Sequence, residues 1–220
     1  SAQPRSCVSY SWSDAGSDEE GDCLCDAGRY KDALAVGRVS TLSGGPSLYG
    51  FVDGANGTAR FRNPYGVAVS SDGRYAVVSD YGNHVLRLVD LETANTTTLA
   101  GRSDGISSTG YVNGARDAAR FYNPRGVAIV GSKVLVADSQ NHVIRQVDMA
   151  TGFTSTLAGH PSSRTSGYQD GSAASARFYY PWDVAISGDG SVAVVTDYQN
   201  HCLRKIIVAT GHTSTLAGPG

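Results

Sequence analysis

The motif Asp-x-x-Asn-His occurs three times, as DYGNHVLRLVD at 80–90, DSQNHVIRQVD at 138–148 and DYQNHCLRKII at 197–207. Imidazole, carboxylate and amide at a fixed spacing are groups that hold metals or move protons. One ion shared by three histidines would need each ring about 2 Å away. Each copy also opens an apolar, β-branched run, which is the pattern of a strand. The alternative is therefore three copies of one structural turn. His160 and His212 lack counterparts in the other copies and sit in no recognisable metal spacing. The chain holds no nucleophile elbow, P-loop or His-Glu-x-x-His. The expectation is a non-enzymatic protein with no catalytic residue, no metal ligand and no cofactor.

What positions these motifs is a repeat array. Thr-Leu-x-Gly recurs at Thr41, Thr98, Thr156 and Thr215, spaced by 57, 58 and 59 residues. Between these tetrads lie GFVDGANGTARFRNPYGVAV, GYVNGARDAARFYNPRGVAI and GYQDGSAASARFYYPWDVAI. The chain thus comprises three units of about 58 residues after a lone outer-type segment, 37–44, and it closes on a similar one, 211–218. Each unit reads as four short strands. The first starts at a proline, where no ladder donor is lost, and Asp72-Gly73 and Asp189-Gly190 mark hairpin turns. Apolar residues occupy both strand faces, so each sheet needs cover on two sides. Neighbouring propeller blades supply that cover. The expected fold is all-β, with residues 1–36 as an acidic, cysteine-containing segment and 37–220 as blades.

DxxNHVLRLVD joined to DGxxxxARFxxPxGVAV and TLAG resembles the NHL repeat, and the likeness spans residues 37–220. It implies a β-propeller of four-stranded blades, here with a long loop before each inner strand. CLCDAGRY near the N-terminus resembles the tail of an EGF-like module. Three visible blades leave two open edges, and propellers typically have four to eight. Closure is expected from further chain, from a divergent blade within the first 36 residues, or from oligomerisation into a ring or a filament.

On this frame the Asp-x-x-Asn-His turn joins the second and third strands, roughly 10 Å outside the innermost one. Equivalent histidines then lie too far apart to share a metal. Asp80, Asp138 and Asp197 are expected to cap the turn's N–H groups, and Asn83, Asn141 and Asn200 to take its left-handed position. His84, His142 and His201 are expected to pack and hydrogen-bond against a neighbouring blade, so His142→Ala should cost stability rather than a bound metal. The recurring Arg60, Arg120 and Arg177, like Arg87, Arg145 and Arg204, are expected to hold the repeated aspartates or backbone carbonyls. Phe61, Phe121 and Phe178 read as loop anchors.

Cys7, Cys23 and Cys25 crowd into a polar stretch, and Cys202 stands where Val85 and Val143 stand in the other units. An even cysteine count there suggests disulfides and a secretory route, with Cys7–Cys23 and Cys25–Cys202 the preferred pairing and a buried apolar thiol the alternative for Cys202. Two glycosylation sequons, at Asn56 and Asn95, point the same way. The net charge of −2 and the three lysines argue against nucleic acid, and no apolar run reaches the roughly 20 residues of a membrane span. Tyr65, Tyr122, Tyr179, Tyr180 and Trp182 form a candidate binding face for protein or carbohydrate, with junction filling as the alternative. The reading is an extracellular, self-associating interaction scaffold, such as a subunit of a cell-surface appendage. The resemblance carries two alternatives: a zinc-dependent peptidyl-amidating lyase and an RNA-binding domain.

Overall fold

The computed structural model describes residues 39–45, 49–101, 109–160 and 165–218. The chain divides between Val39 and Ser40, and every element below belongs to the second unit. Cys7, Cys23, Cys25 and the segment 1–36 lie outside the described residues.

The fold is three four-stranded antiparallel meanders, each one blade of a β-propeller. Blade 1 is β1 (Pro64–Val69), β2 (Tyr75–Asp80), β3 (Val85–Asp90) and β4 (Thr96–Ala100). Blade 2 is β5 (Pro124–Val130), β6 (Lys133–Asp138), β7 (Val143–Asp148) and β8 (Thr154–Ala158). Blade 3 is β9 (Pro181–Ile186), β10 (Val192–Asp197), β11 (Cys202–Ile207) and β12 (His212–Ala217). Inner strands β1, β5 and β9 each begin at the expected proline and stand side by side. Among the described residues the sheets do not close into a ring; three blades stand side by side in an open array.

The tetrads at 98, 156 and 215 end β4, β8 and β12, with the glycine just beyond, and each is paired with the third strand of its own blade. The segment expected to form a lone strand before blade 1 differs. Residues 41–44 join no ladder, because no third strand stands beside them among the described residues. Ser43 instead shares a 2.7 Å hydroxyl–hydroxyl hydrogen bond with Thr96 of β4. The sheet faces interlock through apolar side chains. Val77, Leu86 and Leu99 meet Val134, Val136 and Val147 between blades 1 and 2. Leu135, Ala137 and Ile144 meet Val184, Val195 and Ile206 between blades 2 and 3. Full burial of one such branched side chain contributes about 1.5–3 kcal/mol.

The long loop of each unit folds over the outer edge of its own blade. Gly54 exchanges backbone hydrogen bonds with Thr96 at 2.9 and 2.8 Å, as do Gly114 with Thr154 and Gly171 with Thr213. This pairing protects part of an edge that would otherwise be open. A buried arginine pins the loop from beneath. Arg87, fully buried, donates to Asp80 at 2.9 Å, to Asp53 at 2.7 Å and to the loop carbonyls of Arg60 and Val52. Its guanidinium carbon lies 5.1 and 4.9 Å from the ring centroids of Phe51 and Phe61. Arg145 repeats the set with Asp138, Asn113, Tyr111 and Phe121, and Arg204 with Asp197, Asp170, Tyr168 and Phe178. Arg60 and Arg120 have a lesser role, closing their own loops on the carbonyls of Gly57 and Asp117.

The aspartates of the repeated motif therefore do other work than capping their own turn. Asp80 Oδ1 accepts the backbone N–H of Arg62, Asp138 that of Tyr122 and Asp197 that of Tyr179, all at the foot of the long loop. Burial pushes these carboxylates above the ordinary range, while asparagine, backbone and arginine donors on each oppose it. Removing the cation leaves the carboxylate buried and unpaired. Arg145→Met is thus expected to lower the unfolding free energy by about 3–5 kcal/mol in denaturant titrations. A loss below about 1 kcal/mol, the surface ion-pair range, would contradict the pinning role.

Candidate functional site

The second residue of each inner strand differs in all three units: Tyr65, Arg125 and Trp182. All three follow the proline that starts the strand, so each stands at the same end of the inner strands, the side that lines the central channel of a closed propeller. The short 3-10 turns after the second strands add Tyr81 from blade 1 and Tyr198 from blade 3. The result is one cluster drawn from three blades. The Arg125 guanidinium carbon lies 3.3 Å from the Trp182 ring centroid, 5.2 Å from that of Tyr65 and 5.3 Å from that of Tyr81. The Trp182 indole N–H donates to the Tyr65 hydroxyl, and Trp182 packs against Tyr198 at 4.4 Å between centroids. Cation–π contacts of this kind contribute roughly 0.5–2 kcal/mol each, depending on desolvation.

Below the cluster a cleft of ≈ 430 Å³ is lined by Tyr65, Gly66, Gly126, Trp182 and Asp183. Its glycines are required by close approach. A Cβ on Gly66 would stand 2.4 Å from the Arg125 carbonyl oxygen, and one on Gly126 2.5 Å from the Asp183 Cα. Blade 3 carries Asp183 at the equivalent place, with an exposed side chain whose Oδ1 accepts the Val184 N–H at 2.9 Å. Flat rings, a carboxylate and a guanidinium thus meet at one rim. Tyr65 and Tyr198 remain 50% exposed there, which leaves ring surface for a ligand.

The five aromatics expected to form one face divide between two roles. Tyr65 and Trp182 belong to the cluster. Tyr122 lies edge-on to His84 at 5.8 Å, and Tyr179 and Tyr180 lie edge-on to His142 at 5.8 and 4.7 Å. Those three fill blade junctions. Arg125, Tyr81, Tyr198 and Asp183 complete the site. The available signal was the mismatch among units at the position after the proline (PYG, PRG, PWD).

The histidines join neighbouring blades. His84 Nδ1 accepts the Asn123 N–H of blade 2, and His142 Nδ1 the Tyr180 N–H of blade 3, both at 3.1 Å. It is these histidines, and not the asparagines before them, that adopt the left-handed conformation, with φ of 59°, 58° and 53° at His84, His142 and His201. Asn83, Asn141 and Asn200 instead bridge the motif aspartate to the loop carbonyls of Gly50, Gly110 and Gly167. Cys202 is a buried free thiol at the start of β11. His212 opens β12 and is exposed, while His160 follows the β8 tetrad. Among the described residues no three His, Cys, Asp or Glu side chains gather as a metal site, and no helix is long and apolar enough to cross a membrane. Asn56 and Asn95 both stand exposed in turns.

Residues 178–206 match the NHL repeat family, a stretch running from Phe178 through β9, β10 and the His201 turn into β11. NHL repeat-containing protein 2 from Homo sapiens is 33% identical over 135 residues, covering 57% of this chain and 18% of the human protein. Protein SUPPRESSOR OF QUENCHING 1, chloroplastic, from Arabidopsis thaliana is 27% identical over 172 residues, covering 77% and 16% respectively. The chain therefore spans less than a fifth of the length of either relative. Among solved structures, an auxiliary nutrient binding protein from Bacteroides ovatus superposes with a TM-score of 0.57 at 23% identity, covering 72% of this chain and 39% of that one. A chain of the nidogen/laminin complex superposes with a TM-score of 0.53 at 15% identity, covering 73% and 50%. These likenesses are of fold. The fold is a propeller-type architecture of three blades, and its third blade matches the NHL repeat.

The junction histidines generate a pH dependence. Burial pushes His84 and His142 below the ordinary imidazole range, the Arg62 charge adding to the effect at His84. Each must keep Nδ1 unprotonated to accept its N–H. The unfolded chain then binds protons more readily, so this stability is present above about pH 6.5 and is lost as pH falls through the depressed folded values. The melting temperature is expected to drop between roughly pH 7 and pH 5, and a His84→Asn/His142→Asn variant, which keeps an acceptor and tolerates the left-handed turn, to show a flatter profile. Parallel profiles would remove the histidines as the cause.

Proposed function

We propose that this chain is a non-enzymatic interaction scaffold whose channel-mouth cluster binds carbohydrate. One observation carries the reading: three side chains that differ from unit to unit, Tyr65, Arg125 and Trp182, meet in one cluster. Tyr65 and Tyr198, half exposed and both packed against Trp182, offer ring faces for sugar C–H groups, and the exposed Asp183 offers an acceptor for hydroxyls. The repeated motif arginines and aspartates, with His84 and His142, are occupied within the blades or between them.

The test is binding of a panel of soluble oligosaccharides by calorimetry, with Trp182→Ala and Arg125→Ala compared at equal melting temperature. Loss of at least about tenfold in affinity is expected for Trp182→Ala. Absence of saccharide binding by the unaltered chain, or binding indifferent to Trp182, would reject the reading.

An extracellular setting is part of the same proposal. It is supported by the exposed turns that present Asn56 and Asn95 and by the three cysteines in the first 25 residues. Enzymatic removal of N-glycans should lower the mass of the protein isolated from its source, and Asn56→Gln/Asn95→Gln should abolish that shift. A mass unchanged by the enzyme counts against secretion.

A further inference from the structure

The two internal blade junctions are built alike. His84 and His142 each accept a backbone N–H of the following blade, from residues held at φ near 54°, Asn123 and Tyr180. On the first junction the Ser79 hydroxyl accepts the Gly66 N–H at 2.7 Å and donates to the Arg125 carbonyl across the gap. Apolar side chains fill the remainder, Val127 and Val134 on the receiving side of one junction, Ile144 and Leu157 on the giving side of the other.

Each end of the array presents one half of this junction. Blade 1 shows the receiving half. Val67 is 65% exposed where its blade 2 counterpart Val127 is 7% exposed, and Val69 is 54% exposed where its counterpart Ile129 is half-buried. They line an apolar groove of ≈ 490 Å³ with Leu42, Phe61, Val78 and Val89. Asn63 has the same left-handed backbone, φ 52°, as Asn123 and Tyr180. Blade 3 shows the giving half. Leu203 and Leu216 are 37% and 53% exposed where Ile144 and Leu157 are 0% and 8% exposed. His201 has the same turn conformation as His84 and His142, yet among the described residues no backbone N–H meets its ring. Thr196 Oγ1 accepts the Asp183 N–H at 2.9 Å, as Ser79 does for Gly66.

We infer that the two ends fit each other, so that blade 3 of one copy docks on blade 1 of a second copy of this chain. His201 then accepts the N–H of Asn63 of the second copy. A second copy is the occupant because both complementary halves are present on this chain, in the register of its internal junctions. The contact is head-to-tail, and two copies using both ends close six blades, within the usual four to eight. One position sets the new seam apart. Gly66 and Gly126 let adjacent inner strands touch, whereas Asp183 brings a Cβ to the equivalent point. The seam therefore stands wider at the channel than the internal junctions, and association is weaker than an all-glycine seam would give. The inference goes beyond carbohydrate binding and does not depend on it.

Sedimentation velocity of the full chain over a roughly hundredfold concentration range tests this directly. The expected result is a monomer–dimer equilibrium. Leu203→Asp and Val69→Asp alter opposite ends at exposed positions, so each should be monomeric with unchanged melting. Mixed, they should form a heterodimer through the one junction left intact. Asp183→Gly should lower the dissociation constant by about tenfold. A monomer at every concentration, or a dimer that survives both end variants, overturns the proposal and leaves the faces to further chain or another partner. Trp182→Ala should leave the mass unaffected, which separates failure here from failure of the carbohydrate reading.

Discussion

The rest of each blade depends on a buried guanidinium. Removing an arginine from water costs several kcal/mol, and only near-complete pairing offsets it. Arg87, Arg145 and Arg204 each bring together a motif aspartate, a second side-chain acceptor, two loop carbonyls and two ring faces. Only Nε is left without a partner, in all three blades alike. Because the arginine stands on the third strand and its partners on the end of the second strand and the long loop, one network sets the position of all three. The motif aspartate extends the chain of restraint by holding the backbone N–H just before the inner strand. The inner strand's start, and with it the aim of Tyr65, Arg125 and Trp182, is therefore fixed from mid-radius.

The repeats made most of this frame legible. Tetrad spacing, prolines and Asp-Gly turns placed twelve strands, because each signal is local and occurs in nearly every unit. Where several partners compete for one residue, sequence preference misled. Asparagine favours the left-handed conformation, which suggested Asn83, Asn141 and Asn200 for that place. Their amides are instead needed between aspartate and loop carbonyl, so the strained position falls to the following histidine, which its contact with the next blade holds there. The segment at Thr41 shows the same limit from another side. It has the composition of a strand, but a strand is a paired object, and pairing depends on what stands beside it.

The aromatic face illustrates how much one residue of offset decides. Tyr179 and Tyr180 precede Pro181 and turn back onto His142 of the preceding blade, while Trp182, immediately after it, reaches the channel mouth. Residue type alone cannot separate these cases, since all three are large, planar and partly polar. Position relative to the proline can, once the inner strand is known to begin there. Applied to the other units, the same rule moves Tyr122 to the junction and identifies Arg125 as an occupant of the mouth.

Internal repetition also provides a control that a single-copy fold lacks. A position occupied alike in three blades is accounted for by what every blade needs, as with the buried arginines and their aspartates. A position free of that demand could drift independently in each unit. Tyr65, Arg125 and Trp182 differ as such a position would, yet they are not independent. The tyrosine hydroxyl accepts from the tryptophan, and the guanidinium lies on the tryptophan ring with the tyrosine beside it. Three separate drifts do not readily produce mutual contacts across two junctions. Architecture needs none of these side chains, since strand pairing and blade packing are complete without them. A constraint acting on the mouth as a unit accounts for both facts, and recognition of a ligand at that mouth is a constraint of this kind.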